Sequence, residues 1–278
     1  MQIGIVGLGL IGGSLGLKWR SQGHQIIGVS RRADTCSRAL QLGAADTATT
    51  ALNALKAAEV IVLATPLSAI APTVAQLVPL LQPETCLTDV GSAKAAIVSS
   101  IEALWPNFIG GHPMAGKAAS GIDVADANLF ENCPYVLTPT ANTPQAAIAK
   151  VTQLAQSLGS RLYTCSPAEH DRAVAWISHL PVMISASLIQ ACLQEANPNI
   201  LELAQQLASS GFRDTSRVGG GSPELGVMMA RHNQAAVLQS LAQYRQQLDQ
   251  LTTWIEAENW AALSQSLTVT QQARPEFL

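Results

Sequence analysis

The amino-terminal stretch of the chain decides which fold the rest is expected to adopt. Residues 3–12 read Ile-Gly-Ile-Val-Gly-Leu-Gly-Leu-Ile-Gly. The run Ile3 to Val6 is typical of a buried strand, and it leads directly into a G-x-G-x-x-G pattern formed by Gly7, Gly9 and Gly12. A pattern of this kind between a strand and a helix is typical of dinucleotide binding.

Each glycine of this motif has a physical role in that interpretation. Gly7 permits a tight turn, Gly9 lets a pyrophosphate approach the backbone, and Gly12 lets the helix pack closely on the strand. Leu10 and Ile11 then open a helix whose free N–H groups and dipole stabilise the phosphates. The alternative is a glycine-rich turn without a ligand, but the position directly after the first strand favours a dinucleotide.

Short β-rich runs alternate with helical stretches through the first part of the chain. After the first strand they cover residues 25–30, 60–64, 86–90, 108–111 and 135–138. This alternation predicts an α/β fold with a Rossmann-type, doubly wound sheet, and we assign residues 1–165 to a dinucleotide-binding domain.

After Cys165 the apolar residues recur only at helical spacing. Residues 166–278 are therefore predicted to form an all-α substrate-binding and dimerisation domain, in which Leu180-Pro181 interrupts one helix. From Gln239 to Ile255 an apolar stripe is expected on one helix face, formed by Leu241, Tyr244, Leu248, Leu251 and Ile255. Such a stripe is either core or, in a domain this small, the contact surface of a homodimer.

Composition excludes several classes of protein. The chain has 278 residues, 48% of them hydrophobic and 13% charged, and a net charge of -3, which excludes a disordered chain and makes a nucleic-acid partner unexpected. None of the five cysteines is spaced as C-x-x-C, so the sequence predicts no metal site and indicates a reducing cytoplasm.

Prolines interrupt the uncharged run between Glu59 and Glu84, so we predict no membrane span there. We likewise predict no export leader and no separate regulatory domain.

The end of the predicted second strand indicates which dinucleotide is bound. An NAD enzyme is expected to carry Asp or Glu here for the adenosine ribose, whereas this chain has Ser30-Arg31-Arg32. A hydroxyl and two guanidinium groups suit the 2′-phosphate of NADP, which a carboxylate would repel. NADP is therefore the expected cofactor, although both arginines are also compatible with a solvated surface.

Further polar residues follow strands at the same expected edge of the sheet. Thr65-Pro66 follows the strand at residues 60–64, and Ser92 follows Asp89 at the end of the next one. Ser92 is either a donor to substrate or nicotinamide or a helix cap, while Asp89 and Lys94 are expected to pair locally.

Two histidines and two arginines are candidates for acid–base chemistry and for carboxylate binding. His112 is expected in a loop after the strand at residues 108–111, and its ordinary pKa of about 6.5 suits proton transfer at neutral pH. His179 follows Ser178 in the helical half. Arg213 and Arg217, four apart, would share one face of a continuous helix and hold a carboxylate or, alternatively, form a salt-bridged surface.

Taken in order, five segments of the chain resemble signatures of the prephenate/arogenate dehydrogenase family. They are residues 7–14, 89–94, 110–121, 170–181 and 211–217. The resemblance implies that His112 accepts the C4 hydroxyl proton with help from Ser92, and that Ser178, His179 and Arg213 bind substrate. It also implies NADP-dependent oxidative decarboxylation in tyrosine biosynthesis. The family usually has a further histidine where this chain has Val182, which favours arogenate over prephenate.

Other functions are compatible with parts of the sequence. A prephenate-specific or dual-specificity cyclohexadienyl dehydrogenase would carry the same motifs. A 3-hydroxyacid dehydrogenase would tend to need a lysine in its helical half, but the last lysine is Lys150. A non-catalytic dinucleotide sensor would not need His112, Ser178, His179 and Arg213 together.

Overall fold

A computed structural model describes residues 1–117 and 119–277 and confirms the predicted fold class. The Rossmann-type unit comes first. Its elements are β1 Gln2–Val6, α1 Leu10–Ser21, β2 Gln25–Val29, α2 Ala33–Gln41, β3 Thr47–Thr49, β4 Val60–Leu63, α3 Leu67–Leu77, β5 Cys86–Asp89, α4 Ala95–Glu102, β6 Phe108–Pro113, β7 Pro134–Thr138, α5 Gln145–Ser157 and β8 Arg161–Thr164.

Helices make up the second unit. They are α6 Pro167–Val174, a π-helical turn at Ala175–His179, α7 Leu180–Leu193, α8 Pro198–Leu207, α9 Ser210–Ser216, a 3₁₀ turn at Arg217–Gly220, α10 Pro223–His232, α11 Gln234–Glu256, α12 Trp260–Ala273 and a 3₁₀ turn at Arg274–Phe277. Helix α6 begins with a capping box, in which Ser166 and Glu169 each bond the other's backbone N–H.

The described strands form one sheet in the order β3-β2-β1-β4-β5-β6-β7-β8. Strands β1 to β6 pair in parallel, β7 runs antiparallel to β6, and β8 is parallel to β7. The chain reverses its direction of winding between β1 and β4, because β2 and β3 lie on one side of β1 and β4 on the other. The carboxyl ends of β1 and β4 therefore lie beside each other, and a crevice opens between the loops that follow them.

Two apolar layers cover the faces of this sheet, which explains why its central strands are continuous hydrophobic runs. On one face Trp19 of α1 and Leu154 of α5 pack in the core, and the Trp19 indole N–H donates to the Leu154 carbonyl at 3.2 Å. On the other face Ile70 of α3 and Ile101 of α4 are fully buried. The sheet is therefore a rigid support for groups at its carboxyl edge.

Several expectations about individual elements were wrong. The short edge strands β3 and β8 were not predicted, because they have few apolar residues to signal burial. His112 lies within β6 and not in a loop, since its backbone continues the ladder with β7 opposite Val136. Leu180-Pro181 does not interrupt the helix, because the wider π-helical turn just before it accommodates the proline ring and its missing N–H.

Among the described residues, one helix is long and apolar enough to cross a membrane by length and composition alone. It is the continuous run Pro167–Leu193, in which an 18-residue window has a mean hydropathy of 1.4. This is weak evidence, since core helices pass the same criterion. The run buries His170, Asp171 and His179 and exposes Trp176 and Ile177. An exposed apolar face of this kind also suits contact with another protein chain.

Candidate active site

A cavity of about 920 Å³ lies at the switch point of the sheet. Its lining includes most of the residues predicted to bind the cofactor: Gly7, Gly9, Ser30, Arg31, Arg32, Thr65 and Pro66. The predicted residues Leu10, Ile11 and Gly12 form the first turn of α1. The arrangement brings the end of β1, the end of β2 and the end of β4 around one space.

The glycine motif has the geometry that a bound dinucleotide needs. Gly7 has φ +100°, and a Cβ there would lie 2.4 Å from the Ala64 carbonyl oxygen, so only glycine fits this turn. A Cβ at Gly12 would lie 1.9 Å from the Gly7 oxygen, whereas one at Gly9 would meet nothing within 4 Å. Gly9 is also the N-cap of α1 and offers no capping side chain. The N-terminus of α1 therefore faces open space, where a pyrophosphate fits.

Thr65 adds a polar group to the same cavity. Its hydroxyl oxygen is buried and has no hydrogen-bond partner among residues 1–117 and 119–277. Burial of an unpartnered hydroxyl is unfavourable, so a ligand in the cavity would complete its hydrogen bonding. The residues present at this site fit a dinucleotide.

The carboxyl end of β5 carries a buried ion pair. Lys94 and Asp89 contact each other with both side chains fully buried, and the Lys94 ammonium also donates to the Gly111 carbonyl at 2.8 Å. Asp89 in turn accepts from the backbone N–H groups of Gly91 and Gly111. Burial lowers the pKa of Lys94, although Asp89 opposes that shift. The prediction that these two residues pair locally is confirmed.

His112 is one end of a hydrogen-bonded chain of side chains. Its Nδ1 lies 2.8 Å from Nε2 of His170, and Nδ1 of His170 lies 2.8 Å from Oδ1 of Asp171. Asp171 also accepts from the backbone N–H of Lys94 at 2.7 Å and of Ala95 at 2.8 Å. The carboxylate is thus fixed at the N-terminus of α4, where the helix dipole favours negative charge.

The hydrogen bonds that link His112, His170 and Asp171 determine which nitrogen of His112 is free to accept a proton. Because the Asp171 carboxylate only accepts, it holds the proton of His170 on Nδ1, which leaves Nε2 of a neutral His170 as an acceptor. His112 must then donate from Nδ1, so its own Nε2 carries a lone pair. Burial, with smaller contributions from His170, Lys94 and His179, holds the pKa of His112 well below 6.5. His112 is therefore a neutral base at neutral pH.

His179 occupies the last position of the π-helical turn and is fully buried. Its Nδ1 lies 3.1 Å from the amide nitrogen of Asn233, and that nitrogen also donates to the Asp171 carbonyl at 2.7 Å. Burial lowers the pKa of His179 to about 4, against the opposing effect of Asp171. Its Nε2 is buried without a partner among the described residues.

The other predicted site residues are less constrained in this chain. Ser92 and Ser178 are half-buried, and Arg213 is exposed and pairs with its neighbour Asp214 at 3.0 Å. Arg213 and Arg217 do not share a continuous helix face, because α9 ends at Ser216 and Arg217 begins a 3₁₀ turn. The contacts of the described chain do not bring either arginine to His112.

Three residues that connect the site were missed as functional residues. His170 and Asp171 lie in the family-like segment at residues 170–181, but there they had no assigned role. Asn233 lies outside every segment that drew attention, at the junction of α10 and α11. A buried Asn beside an apolar helix gives no signal until the fold places it next to His179.

A nucleotide-sized cavity at the switch point of a Rossmann-type sheet, with a buried, hydrogen-bonded histidine in the same unit, is typical of a dinucleotide-dependent dehydrogenase. Family models agree: "Prephenate dehydrogenase, nucleotide-binding domain" matches residues 14–164, and "Prephenate dehydrogenase, dimerization domain" matches residues 166–269. The chain belongs to the prephenate/arogenate dehydrogenase family of oxidoreductases, which act on small-molecule substrates.

Individual relatives support the same assignment. The chain is 33% identical over 262 residues to prephenate dehydrogenase of Bacillus subtilis (strain 168), covering 92% of this chain and 70% of that protein. It is similar over the full length of both chains to the crystal structure of Synechocystis arogenate dehydrogenase, with 54% identity and a TM-score of 0.92. For A. aeolicus prephenate dehydrogenase in complex with hydroxyphenyl propionate and NAD+, the identity is 26% and the TM-score 0.94, covering 100% and 99% of the two chains.

Proposed function

We propose that the protein catalyses the NADP-dependent oxidative decarboxylation of arogenate to tyrosine. The observation that carries this proposal is the chain His112–His170–Asp171, which leaves Nε2 of His112 as a hydrogen-bond acceptor at the carboxyl edge of the sheet. The likeness to Synechocystis arogenate dehydrogenase and the place of this family in tyrosine biosynthesis support the choice of reaction.

His112 removes the proton of the C4 hydroxyl of the substrate while C4 loses its hydride. The bound nicotinamide supplies the hydride acceptor. The developing C4 carbonyl draws electrons from the ring carboxylate, which leaves as carbon dioxide, and the proton held by His112 returns to the oxygen that becomes the phenol. Aromatisation makes the sequence irreversible, so the protein mainly supplies orientation and a positioned base.

The remaining site residues have roles that follow from their chemistry. Ser92, after β5, assists His112 by a hydrogen bond to the substrate hydroxyl. His179 and Ser178 donate to acceptor oxygens of the substrate, and Arg213 and Arg217 supply positive charge for its carboxylates. The five cysteines are free thiols, which supports a reducing, cytoplasmic location.

NADP preference is a first expected result. Arg31 lines the cofactor cavity at the end of β2 together with Ser30 and Arg32. Loss of one charge-assisted hydrogen bond costs about 1.5–3 kcal/mol, or roughly tenfold to a hundredfold in affinity. Arg31→Ala should therefore raise the Kd for NADP by that factor and leave the Kd for NAD nearly unchanged, as measured by titration of both nucleotides. Equal kcat/KM with NADP and NAD in the unaltered enzyme would contradict the assignment.

Arogenate preference is a second expected result. The two substrates differ at the side chain, where prephenate carries a keto group and arogenate an ammonium. Val182 of α7 lies against α10, since a Cβ built on Gly226 would be 3.7 Å from its Cγ1. The valine side chain neither donates to a keto oxygen nor repels an ammonium. Because a missing donor penalises a buried keto group, kcat/KM with NADP should be higher for arogenate. A prephenate value equal to or above that for arogenate would refute this choice while leaving the reaction intact.

A homodimer joined through the helical units is a third expected result. Leu248 and Ile255 of the apolar stripe on α11 are 44% and 52% exposed in the single chain, and the matching family model describes a dimerization domain. Closed two-fold dimers are the commonest oligomers and would cover such a face. Light scattering at micromolar concentration should give twice the mass of one chain, and a stable monomer would count against this proposal.

A further inference from the structure

Asn233 contacts the ring of His179, since its amide nitrogen lies 3.1 Å from Nδ1 of that ring. We propose that Asn233 is a positioning residue that fixes His179 as the Nε2–H tautomer, making it a neutral hydrogen-bond donor to an acceptor oxygen of the substrate. The substrate part of this inference rests on the proposed function. The tautomer of His179 itself follows from two hydrogen bonds of the Asn233 amide, one with the Asp171 carbonyl and one with the His179 ring.

The first step is the orientation of the Asn233 amide. Its nitrogen lies 2.7 Å from the backbone carbonyl oxygen of Asp171. A carbonyl oxygen only accepts hydrogen bonds, so the opposite orientation of the amide would place two oxygens against each other at that distance. The group that faces both Asp171 and His179 is therefore the amide NH₂.

The second step is the proton position on His179. An amide nitrogen donates and does not accept, so at 3.1 Å from Asn233 the ring Nδ1 of His179 must be the acceptor. A neutral imidazole with an accepting Nδ1 carries its proton on Nε2. That Nε2–H is buried and has no partner within the described ranges of the chain. A buried donor without a partner is unfavourable until a ligand brings an acceptor, such as a carboxylate oxygen.

Asn233 is itself held rigidly, which a positioning role requires. It is 5% exposed and lies where α10 ends and α11 begins. Its backbone N–H donates to the Met229 carbonyl at 3.1 Å, and its own carbonyl accepts from the Val237 N–H at 3.0 Å. Both helices therefore fix the direction of the amide, and α11 contacts the π-helical turn that carries His179.

The charge state of His179 agrees with this arrangement. Burial lowers its pKa to about 4; among the groups that face it, Asp171 favours the charged ring and His170 disfavours it. His112 lies within electrostatic reach of the same ring. At neutral pH the His179 ring of the unliganded chain is therefore neutral and offers a single Nε2–H to an acceptor oxygen.

Nitrogen NMR of the full-length protein tests the tautomer without any assay of activity. In protein labelled with ¹⁵N-histidine, the two ring nitrogens of a neutral imidazole give distinct protonated and unprotonated signals. The His179 signals, assigned by their loss in His179→Gln, should show a protonated Nε2 and an unprotonated Nδ1. A protonated Nδ1 would overturn the proposal, whatever reaction the enzyme catalyses.

Substitution at Asn233 tests whether the tautomer matters for substrate. In Asn233→Asp a carboxylate oxygen replaces the amide NH₂, so Nδ1 of His179 should become protonated in the ¹⁵N spectrum. The same carboxylate raises the pKa of the ring, and above that pKa Nε2 loses its proton, so KM should rise by about tenfold to a hundredfold with a smaller change in kcat. Asn233→Ala leaves both tautomers accessible and should raise KM less. Asn259 caps α12 from an exposed position, and Asn259→Ala should leave both constants unchanged.

A purely structural role predicts a different pattern. Asn233→Asp would then lower the free energy of unfolding, because its carboxylate faces the Asp171 carbonyl, while the His179 ring would keep a protonated Nε2 and an unprotonated Nδ1. A role through His179 further requires that Asn233→Asp has little additional effect on KM in a His179→Gln background. An undiminished effect in that background, or a wild-type KM in Asn233→Asp, would contradict the proposal.

Discussion

His112→Asn should lower kcat by about 10²–10⁴-fold, because general base catalysis contributes that much and Asn cannot take a proton. The side chain of Asn still donates to Nε2 of His170, so the hydrogen-bonded chain to Asp171 is preserved as far as possible. Cofactor binding should be nearly unchanged, since His112 does not line the nucleotide cavity. Steady-state kinetics and NADP titration measure the two effects separately.

A matched control is His24→Asn, which removes a histidine beside the amino terminus and should leave kcat unchanged. The pH profile gives a second check. Because the pKa of His112 lies well below 6.5, its neutral form persists into mildly acid solution. The acid limb of kcat/KM should therefore fall below pH 6.5, where His112 becomes protonated. Near-normal kcat in His112→Asn would exclude the role of base.

Lys94→Met should lower the free energy of unfolding by about 3–5 kcal/mol, because it leaves the buried Asp89 carboxylate without its cation. The pair is fully buried beneath the site, and the Lys94 ammonium also satisfies the Gly111 carbonyl next to His112. Loss of both contacts leaves an unpaired charge and an unpaired carbonyl in the core. Denaturant unfolding of the variant and the unaltered protein measures the difference.

The matched control is Lys117→Met. Lys117 pairs with Asp126 at 3.0 Å, but these side chains are 39% and 43% exposed. Exposed ion pairs contribute about 0–1 kcal/mol, so this variant should lose little stability. If the two variants lost equal amounts, the buried pair would not have the structural importance assigned to it.

Much of the Rossmann-type unit could be predicted, because its signals are local in sequence. The glycine motif after β1 and the apolar runs of β4 and β5 each carry enough information within a few residues. The pairing of Asp89 with Lys94 was also within reach of local spacing. The edge strands β3 and β8 were not, because their partners and their burial come from distant parts of the chain.

The connections within the site could not be predicted for a similar reason. On a regular α-helix, residues nine apart such as His170 and His179 point about 180° away from each other. The π-helical turn Ala175–His179 changes this phase, and no periodicity in the sequence indicates it. Asn233 reaches both His179 and the Asp171 carbonyl only because α11 packs against that turn.

The proposed reaction couples hydride transfer to loss of the ring carboxylate of arogenate. Its most direct test follows NADPH, carbon dioxide and tyrosine in one reaction of the purified protein with arogenate and NADP. All three products should form in equal amounts, and His112→Asn should slow their formation together. Contradiction would come from the absence of arogenate-dependent NADPH formation, or from NADPH formed without matching carbon dioxide and tyrosine.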